Sequence, residues 1–379
     1  MSIVNKIRIT AIEAIPLRIK LKGQLKTSSG TYTSLTPVIV KMHTNVGITG
    51  VTEIQSSSTY ERIGNEPYSA VLQILEEAFA PILIGANPFE VEVIWRELDK
   101  LQGLHWIKAG IDGAFYDIQG KALETTAARV IGGPCRTSVP IEGYPAYGIG
   151  MYEPEKVAAL ALQAKKEGFV ELELKLGDSN PRLDIERVKL TREAIGGEMS
   201  IKADFNKAGE TSTVIATIRE MEKYGLNWVE QPVDEWDVAG MARIRQSIST
   251  PLIIDESVNT PQTMYIACVA GACDAVHLKP TTKGGLTGAR RIAAVAEAAG
   301  IAVIPGTQQP TGIGLGIVHT FTSACRNIAR GIHGSPLAHL DDDIVLNPVP
   351  QGTAFVQFSQ EPGLGYELDE NKVEKYRIR

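Results

Sequence analysis

Three acids stand at regular intervals in this 379-residue sequence: Asp204 in Asp-Phe-Asn, Glu230 in Glu-Gln-Pro and Asp255 in Asp-Glu-Ser, 26 and 25 residues apart. Each ends a short apolar run. That separation is one strand plus one helix, so a barrel of parallel strands sets the three carboxylates side by side at the C-terminal mouth. Carboxylates so close repel one another and resist ionisation unless a cation joins them. A hard, all-oxygen ligand set suits Mg²⁺, with Mn²⁺ as its substitute. One acid at a strand-to-helix junction is ordinarily a helix N-cap; three in register form a candidate metal site.

Two lysines bracket the acids. Lys175 closes Glu171-Leu172-Glu173-Leu174-Lys175-Leu176, and Lys279 lies in His277-Leu278-Lys279-Pro280. Strand residues alternate in direction, so the leucines meet the helices while Glu171, Glu173 and Lys175 face the barrel interior, where burial without a task is costly. The next strand groups Lys202, Asp204 and Asn206 in the same way. A lysine near a strand end ordinarily snorkels toward solvent. On a closed ring, however, the second and sixth strands lie opposite, and the two ammonium groups reach opposite faces of one ligand. That placement favours a catalytic role for the two lysines, with desolvation and a nearby metal lowering the lysine pKa toward the working pH. Gln308 and Gln309 follow the seventh strand and could hydrogen-bond a substrate, while a lone inward His277 is more often a satisfied core residue than a ligand.

Positioning these groups requires strands at 142–147, 170–176, 200–206, 227–230, 252–255, 275–279, 302–305 and 337–340, with helices such as 154–167, 185–195, 211–223 and 286–299 between them. Eight strands with seven crossover helices make a (β/α)7β TIM-like barrel, an α/β fold, over about residues 131–344. An open doubly wound sheet is the alternative, but no Gly-rich phosphate fingerprint follows the first strand. Residues 1–130 read as a separate α+β unit: strands at 7–22, 36–44 and 47–53, a Gly/Ser/Thr-rich connection at 24–35, then helices at 68–84, 88–101 and 105–123, the middle one opening with Asn87-Pro88 as N-cap and first helical residue. A last strand at 353–358 and a Pro-Gly-Leu-Gly turn lead into a tail, about 345–379, that folds back on this first unit.

A net charge of −6 and pI of about 5.7 leave no electrostatic footprint for nucleic acid or an anionic membrane surface. Cys135, Cys268, Cys273 and Cys325 include no Cys-x-x-Cys pair, which points to a reducing cytoplasm. The uncharged stretch 298–325 carries Pro305, Gln308, Gln309, Pro310 and several glycines, so it reads as a strand, loop and helix rather than a membrane span. Zinc-peptidase, Walker and serine-hydrolase motifs are missing.

Taken in order, Gly47-Ile-Thr-Gly-Val-Thr-Glu53, Asp204, Glu230-Gln-Pro, Asp255-Glu-Ser, Lys279 before Gly284-Gly285, Leu340-Asp341-Asp-Asp343 and Pro362-Gly-Leu-Gly resemble the enolase superfamily, and within it the muconate lactonising enzyme subgroup. The resemblance implies a capping domain built from both chain ends, Mg²⁺ on Asp204, Glu230 and Asp255, and Lys175 and Lys279 moving the proton next to a substrate carboxylate through an ene-diolate. A racemase or epimerase of an amino-acid derivative uses both lysines symmetrically and comes first; a muconate-type cycloisomerase, a dehydratase of a hydroxyproline-like acid and a barrel that only binds an acid are the alternatives. Capping loops near 24–35, with Lys26 and Tyr32, and 54–67, with Tyr60, Glu61 and Arg62, would select the substrate, assisted by Glu173, Asn206 and Gln308. A homo-oligomer is expected. The family commonly has Lys-x-Lys at the end of the second strand; here Glu173 replaces the first lysine, which would change what sits beside the substrate carboxylate, meet a cationic substrate group or simply pair with Lys202.

Overall fold

The computed structural model describes residues 3–27, 30–56, 66–142, 149–308, 310–329, 331–333, 340–350 and 354–379. Its centre is a six-stranded parallel sheet of Glu171–Lys175, Ser200–Asp204, Trp228–Glu230, Leu252–Ile254, Ala275–Leu278 and Ala302–Pro305, paired in sequence order. Helices lie between successive strands, as parallel connections demand. Ile149 bridges to Leu174 at one edge and Ile328 to Val303 at the other, both parallel. The expected first and eighth strands fall mainly on 143–148 and 334–339, outside the described residues. Just before the first lies the Ser138–Glu142 strand, which pairs with Ile332–His333 and, antiparallel, with Phe355–Gln357.

Register divides the barrel interior into layers. Ile253, Ala275 and Ile304, with Trp228 and Ala302 against them, form a small apolar cluster separate from the main core. Above this floor the same inward face turns polar: Glu173 pairs in register with Lys202, and Lys175 with Asp204, which pairs in turn with Glu230. The outward face is continuously apolar, with Leu172, Leu174, Ile201, Ala203, Val229, Ile254 and Val276 packed in the large helix-covered core.

The N-terminal third packs an antiparallel sheet, Ile9–Pro16, Val38–Thr44 and Thr49–Ile54, against helix His105–Ala122. The 24–35 segment differs from expectation: Ile19–Thr27 and Gly30–Leu35 form a hairpin, because Thr and Tyr at the strand positions satisfy the ladder that the Gly/Ser content obscures. The helix expected at 88 begins at Val91; Asn87 instead closes a turn by accepting from the Phe89 N–H. The tail returns to the cap, where the Arg18 N–H donates to the Tyr376 carbonyl, the Ile378 N–H to that of Pro16, and Lys41 pairs with Glu370.

Two buried acids of the cap reach the starts of barrel helices. Asp112 accepts from the Thr287 N–H, the Thr287 hydroxyl and the Trp95 indole at 3.0, 2.6 and 2.6 Å, at the start of helix Gly285–Ala298. Only glycine serves at 285, where φ is +69° and a Cβ would lie 2.4 Å from Asp112 Oδ2. Glu53 accepts from the Thr311 N–H, the Thr311 hydroxyl and the Gly314 N–H at 2.9, 2.6 and 3.1 Å, at the start of helix Gly312–Ala324. Among the described residues, no helix is long and apolar enough to cross a membrane, and the 298–325 stretch holds a strand, a loop and this helix.

Candidate active site and metal centre

The acids and lysines singled out in the sequence meet at the C-terminal ends of the barrel strands. Lys175 Nζ lies 2.5 Å from Asp204 Oδ2 and also contacts Glu173. Lys202, buried between strands, joins Glu173 at 2.6 Å and Glu230 at 2.7 Å. His277 Nδ1 lies 2.6 Å from Glu230 and 3.7 Å from Asp255. Lys279 contacts Asp255 Oδ2, while Lys283 lies 3.3 Å from Oδ1 of the same residue. A continuous series of ionisable side chains therefore crosses the barrel from Lys175 to Lys279, with Glu230 at its middle.

Two groups of potential ligand atoms, each within 4.8 Å of one another, share Glu230: Glu173, Asp204 and Glu230 on one side, Glu230, Asp255 and His277 on the other. The first is all carboxylate and the second adds one imidazole nitrogen. Such donors suit a small hard dication, and the site fits a metal of that kind. Asp204 and Asp255 themselves stand on opposite sides of Glu230.

Electrostatics separate the two sides. Burial, with Glu230 and Glu173 nearby, pushes the Asp204 carboxyl well up against the pull of Lys175. Burial acts on Asp255 too, but Lys279, Lys283 and His277 outweigh it and hold that carboxyl down at about 2. The expected lowering of the lysines is reversed in the protein alone: burial opposes their charge, but Asp204, Glu173 and Glu230 raise Lys175, and Asp255, Glu256 and Glu230 raise Lys279. Burial lowers Lys283.

Of the candidate substrate contacts, Glu173 is buried and engaged with both Lys175 and Lys202, and the Lys202 pairing is one of the readings that the sequence left open for it. Asn206 donates from its backbone to Asp204 and from its amide, at 3.4 Å, to Glu256. Gln308 lies half-buried beyond the seventh strand, and among the described residues no hydrogen bond ties it to this cluster. The Tyr32 backbone pairs with Leu25; its side chain is outside the described set.

Sequence reasoning passed over several participants. Glu256 sits beside Asp255 with its carboxyl pushed up to about 7 by burial and by that neighbour. Gln231 accepts from the Asp255 N–H at 2.9 Å and donates to the Val233 carbonyl and the Ser257 hydroxyl, fixing the turn that carries Asp255. Lys283 clamps that turn from outside through the carbonyls of Asp255 and Val258. The Glu-Gln-Pro and Asp-Glu-Ser motifs contain the first two of these residues, so the signal was present. Asn206, Lys207 and Gln231, immediately past the acids, have φ of +41°, +69° and +31°, strain of the kind that concentrates at working sites. Gly306 has no room for a side chain, since a Cβ would lie 1.7 Å from His277 Nε2.

The polar, strained barrel mouth sets lysines around an acid cluster that could hold a dication. Residues 10–132 match the mandelate racemase/muconate lactonizing enzyme N-terminal domain, and residues 156–372 match the enolase C-terminal domain-like family. The chain belongs to the enolase superfamily, in its muconate lactonising subgroup.

Among its relatives is the N-succinyl-L-Arg/Lys racemase of Bacillus cereus, 28% identical over 373 residues covering 98% of each chain. The crystal structure of the Bacillus cereus racemase superposes with TM-score 0.92 at 27% identity, over 98% of both chains. Muconate lactonizing enzyme from Pseudomonas fluorescens, complexed with muconolactone, gives TM-score 0.92 at 26% identity over 98% and 99%. The dipeptide epimerase of Enterococcus faecalis, complexed with Mg and the dipeptide L-Leu-L-Tyr, gives 0.88 at 28% over 95% and 99%. These relatives are racemases, epimerases and cycloisomerases, all isomerases, and this chain is an enzyme of the same superfamily.

Proposed function

We propose that this chain is a Mg²⁺-dependent racemase or epimerase of a small carboxylate, an amino-acid derivative, with Lys175 and Lys279 as its acid/base pair and Asp204, Glu230 and Asp255 as metal ligands. The observation that carries the reading is the placement of the two lysines at opposite ends of one charged series, each against a different acid. Residues about 1–130 with 345–379 form the cap in this reading, and 131–344 the catalytic barrel.

Asp204, Glu230 and Asp255 would hold the dication, which would supply positive charge to the substrate carboxylate. One lysine, as a free amine, takes the proton from the carbon next to the carboxylate; the other, as an ammonium, gives one to the opposite face, and the roles exchange in reverse. Lys202 and His277 hold Glu230 in place, and Gln231 and Lys283 hold the Asp255 turn.

The free thiols of Cys135, Cys268, Cys273 and Cys325 support a cytoplasmic setting. Exposed Tyr265, Ile266 and Val269 on the uncharged helix Pro261–Ala270 support self-association.

The test is incubation in D₂O, with Mg²⁺, of N-acyl amino acids, dipeptides, proline derivatives and lactones. Deuterium is expected at the α position of both isomers, and chelation should stop it. Full activity after chelation would sink the metal role. Net ring opening or closure would move the reading to a cycloisomerase, formation of a 2-keto acid to a dehydratase, and tight Mg²⁺-dependent binding without exchange to a binding protein.

A further inference from the structure

Past Lys175 the backbone leaves the sheet. The Leu176 N–H still donates to the Asp204 carbonyl, but the next two N–H groups, of Gly177 and Asp178, both donate to one carboxylate oxygen, Asp184 Oδ2, at 2.9 Å each. Asp184 stands in the first turn of helix Pro181–Ile195 and is 1% exposed. Its other oxygen, Oδ1, accepts from Arg187 Nη1 at 2.7 Å. The buried Arg187 then spans two segments: Nη2 reaches Asp178 Oδ2 at 3.0 Å, and Nε reaches the carbonyl of Tyr152 at 2.8 Å, just beyond the bridge from Ile149 to Leu174. One carboxylate and one guanidinium thus fix the turn into which the Lys175 strand runs.

The Lys279 side is held by other means. Its carbonyl accepts from the Thr282 and Lys283 N–H groups at 3.0 and 3.1 Å, and the Lys283 ammonium is fastened to the carbonyls of Asp255 and Val258. Asp184 and Arg187 take part in none of these bonds. A buried carboxylate that accepts from two backbone N–H groups and a guanidinium is costly to disturb. A proton-transfer group is equally sensitive to place, since about 1 Å of displacement costs on the order of 10² in rate. We propose that Asp184 is a positioning residue for Lys175 alone, so that proton transfer on one face of the substrate is set from the helix Pro181–Ile195 while the other face, served by Lys279, is set independently. This rests on the two-lysine chemistry proposed above and goes beyond it, because the two faces then become separately tunable from positions outside the ionisable series.

Asp184→Asn keeps the size of the side chain, but its amide cannot serve both partners. With the oxygen toward Gly177 and Asp178 its NH2 meets Arg187, and turned round it meets the two N–H groups. In the Mg²⁺-loaded enzyme, on whichever acid exchanges, α-deuterium uptake should fall roughly 10-fold to 100-fold for the enantiomer that Lys175→Ala silences, in kcat rather than KM, and stay near wild type for the other. Arg187→Lys, which keeps the charge opposite Asp184 but not the planar fork, should shift the ratio of the two rates the same way by less. Asp237→Asn removes an acceptor of the Gly240 N–H at the start of helix Val238–Ser247, away from both lysine turns, and should leave that ratio unchanged. Equal losses for both enantiomers in Asp184→Asn, a folded Asp184→Asn with the wild-type ratio, or an equal shift in Asp237→Asn would overturn the assignment. Amide hydrogen exchange decides without turnover: Asp184→Asn should speed it over residues 171–178 and not over 275–283, and equal changes in both, or none, would count against the assignment. If no acid exchanges its α-proton, the proposed activity fails by itself, and this comparison still decides which strand end Asp184 holds.

Discussion

Glu173 and Lys202 face each other in register on neighbouring barrel strands, and their buried charged ends meet at 2.6 Å. Glu173 stands where the resemblance led to a lysine, and the Lys202 cation from the next strand approaches it. Lys175 therefore rests against two carboxylates, and Lys202 stands between Glu173 and Glu230.

Removing one partner of a buried ion pair strands the other, at about 3–5 kcal/mol. Glu173→Gln and Lys202→Met should each lose stability of that order, and the combined variant should recover part of it. Urea denaturation of the four proteins measures this; strictly additive losses would show that the pair is not coupled.

If each lysine serves one face of the substrate, Lys175→Ala should abolish exchange of one enantiomer's α-proton and spare part of the other, with the mirror image for Lys279→Ala. The affected direction should fall on the order of 10²–10⁴. Asp204→Asn, Glu230→Gln and Asp255→Asn should silence both enantiomers together. Glu230→Gln should weaken Mg²⁺ binding most, because Glu230 belongs to both ligand groups. Normal exchange of both enantiomers by Lys279→Ala would reduce that lysine to an electrostatic bystander. Deuterium uptake and titration calorimetry read the two effects separately.

The seam between cap and barrel should respond to pH. Burial pushes Glu53 up to about 7 from an ordinary 4.5 and Asp112 up to about 6 from 3.8. An acid raised on folding contributes stability that is complete below its unfolded pKa and is lost as pH rises through the folded value. Between 4.5 and about 7 the wild type should therefore lose stability relative to Glu53→Gln, by at most about 1.4 kcal/mol per pH unit. Parallel stability curves for the two proteins would show that Glu53 ionises normally.

The barrel and its acids were legible because each βα unit repeats one pattern, and residue parity within a strand sorts Glu173 with Lys175 and Lys202 with Asp204, while regular spacing finds Glu230 and Asp255. The layer that orients them was not. Lys283 and Glu256 lie on turns, where no period tells an inward side chain from a solvated one, and Gln231, just past its strand, takes a positive φ that breaks the alternation. The 24–35 hairpin was hidden for a related reason: glycine and hydroxyl residues read as a loop, although tertiary pairing holds them as strands.

Asp112 and Glu53 belong to the cap yet serve as acceptors for the first N–H groups of two barrel helices. Swinging the cap away as a rigid lid would strip both helix starts at once and leave two carboxylates facing nothing. Substrate traffic must then be handled by local rearrangement between these anchor points, which makes entry and release properties of short segments. Such segments can be rewritten for a new acid while the fastening, and the acid/base machinery beneath it, stays as it is.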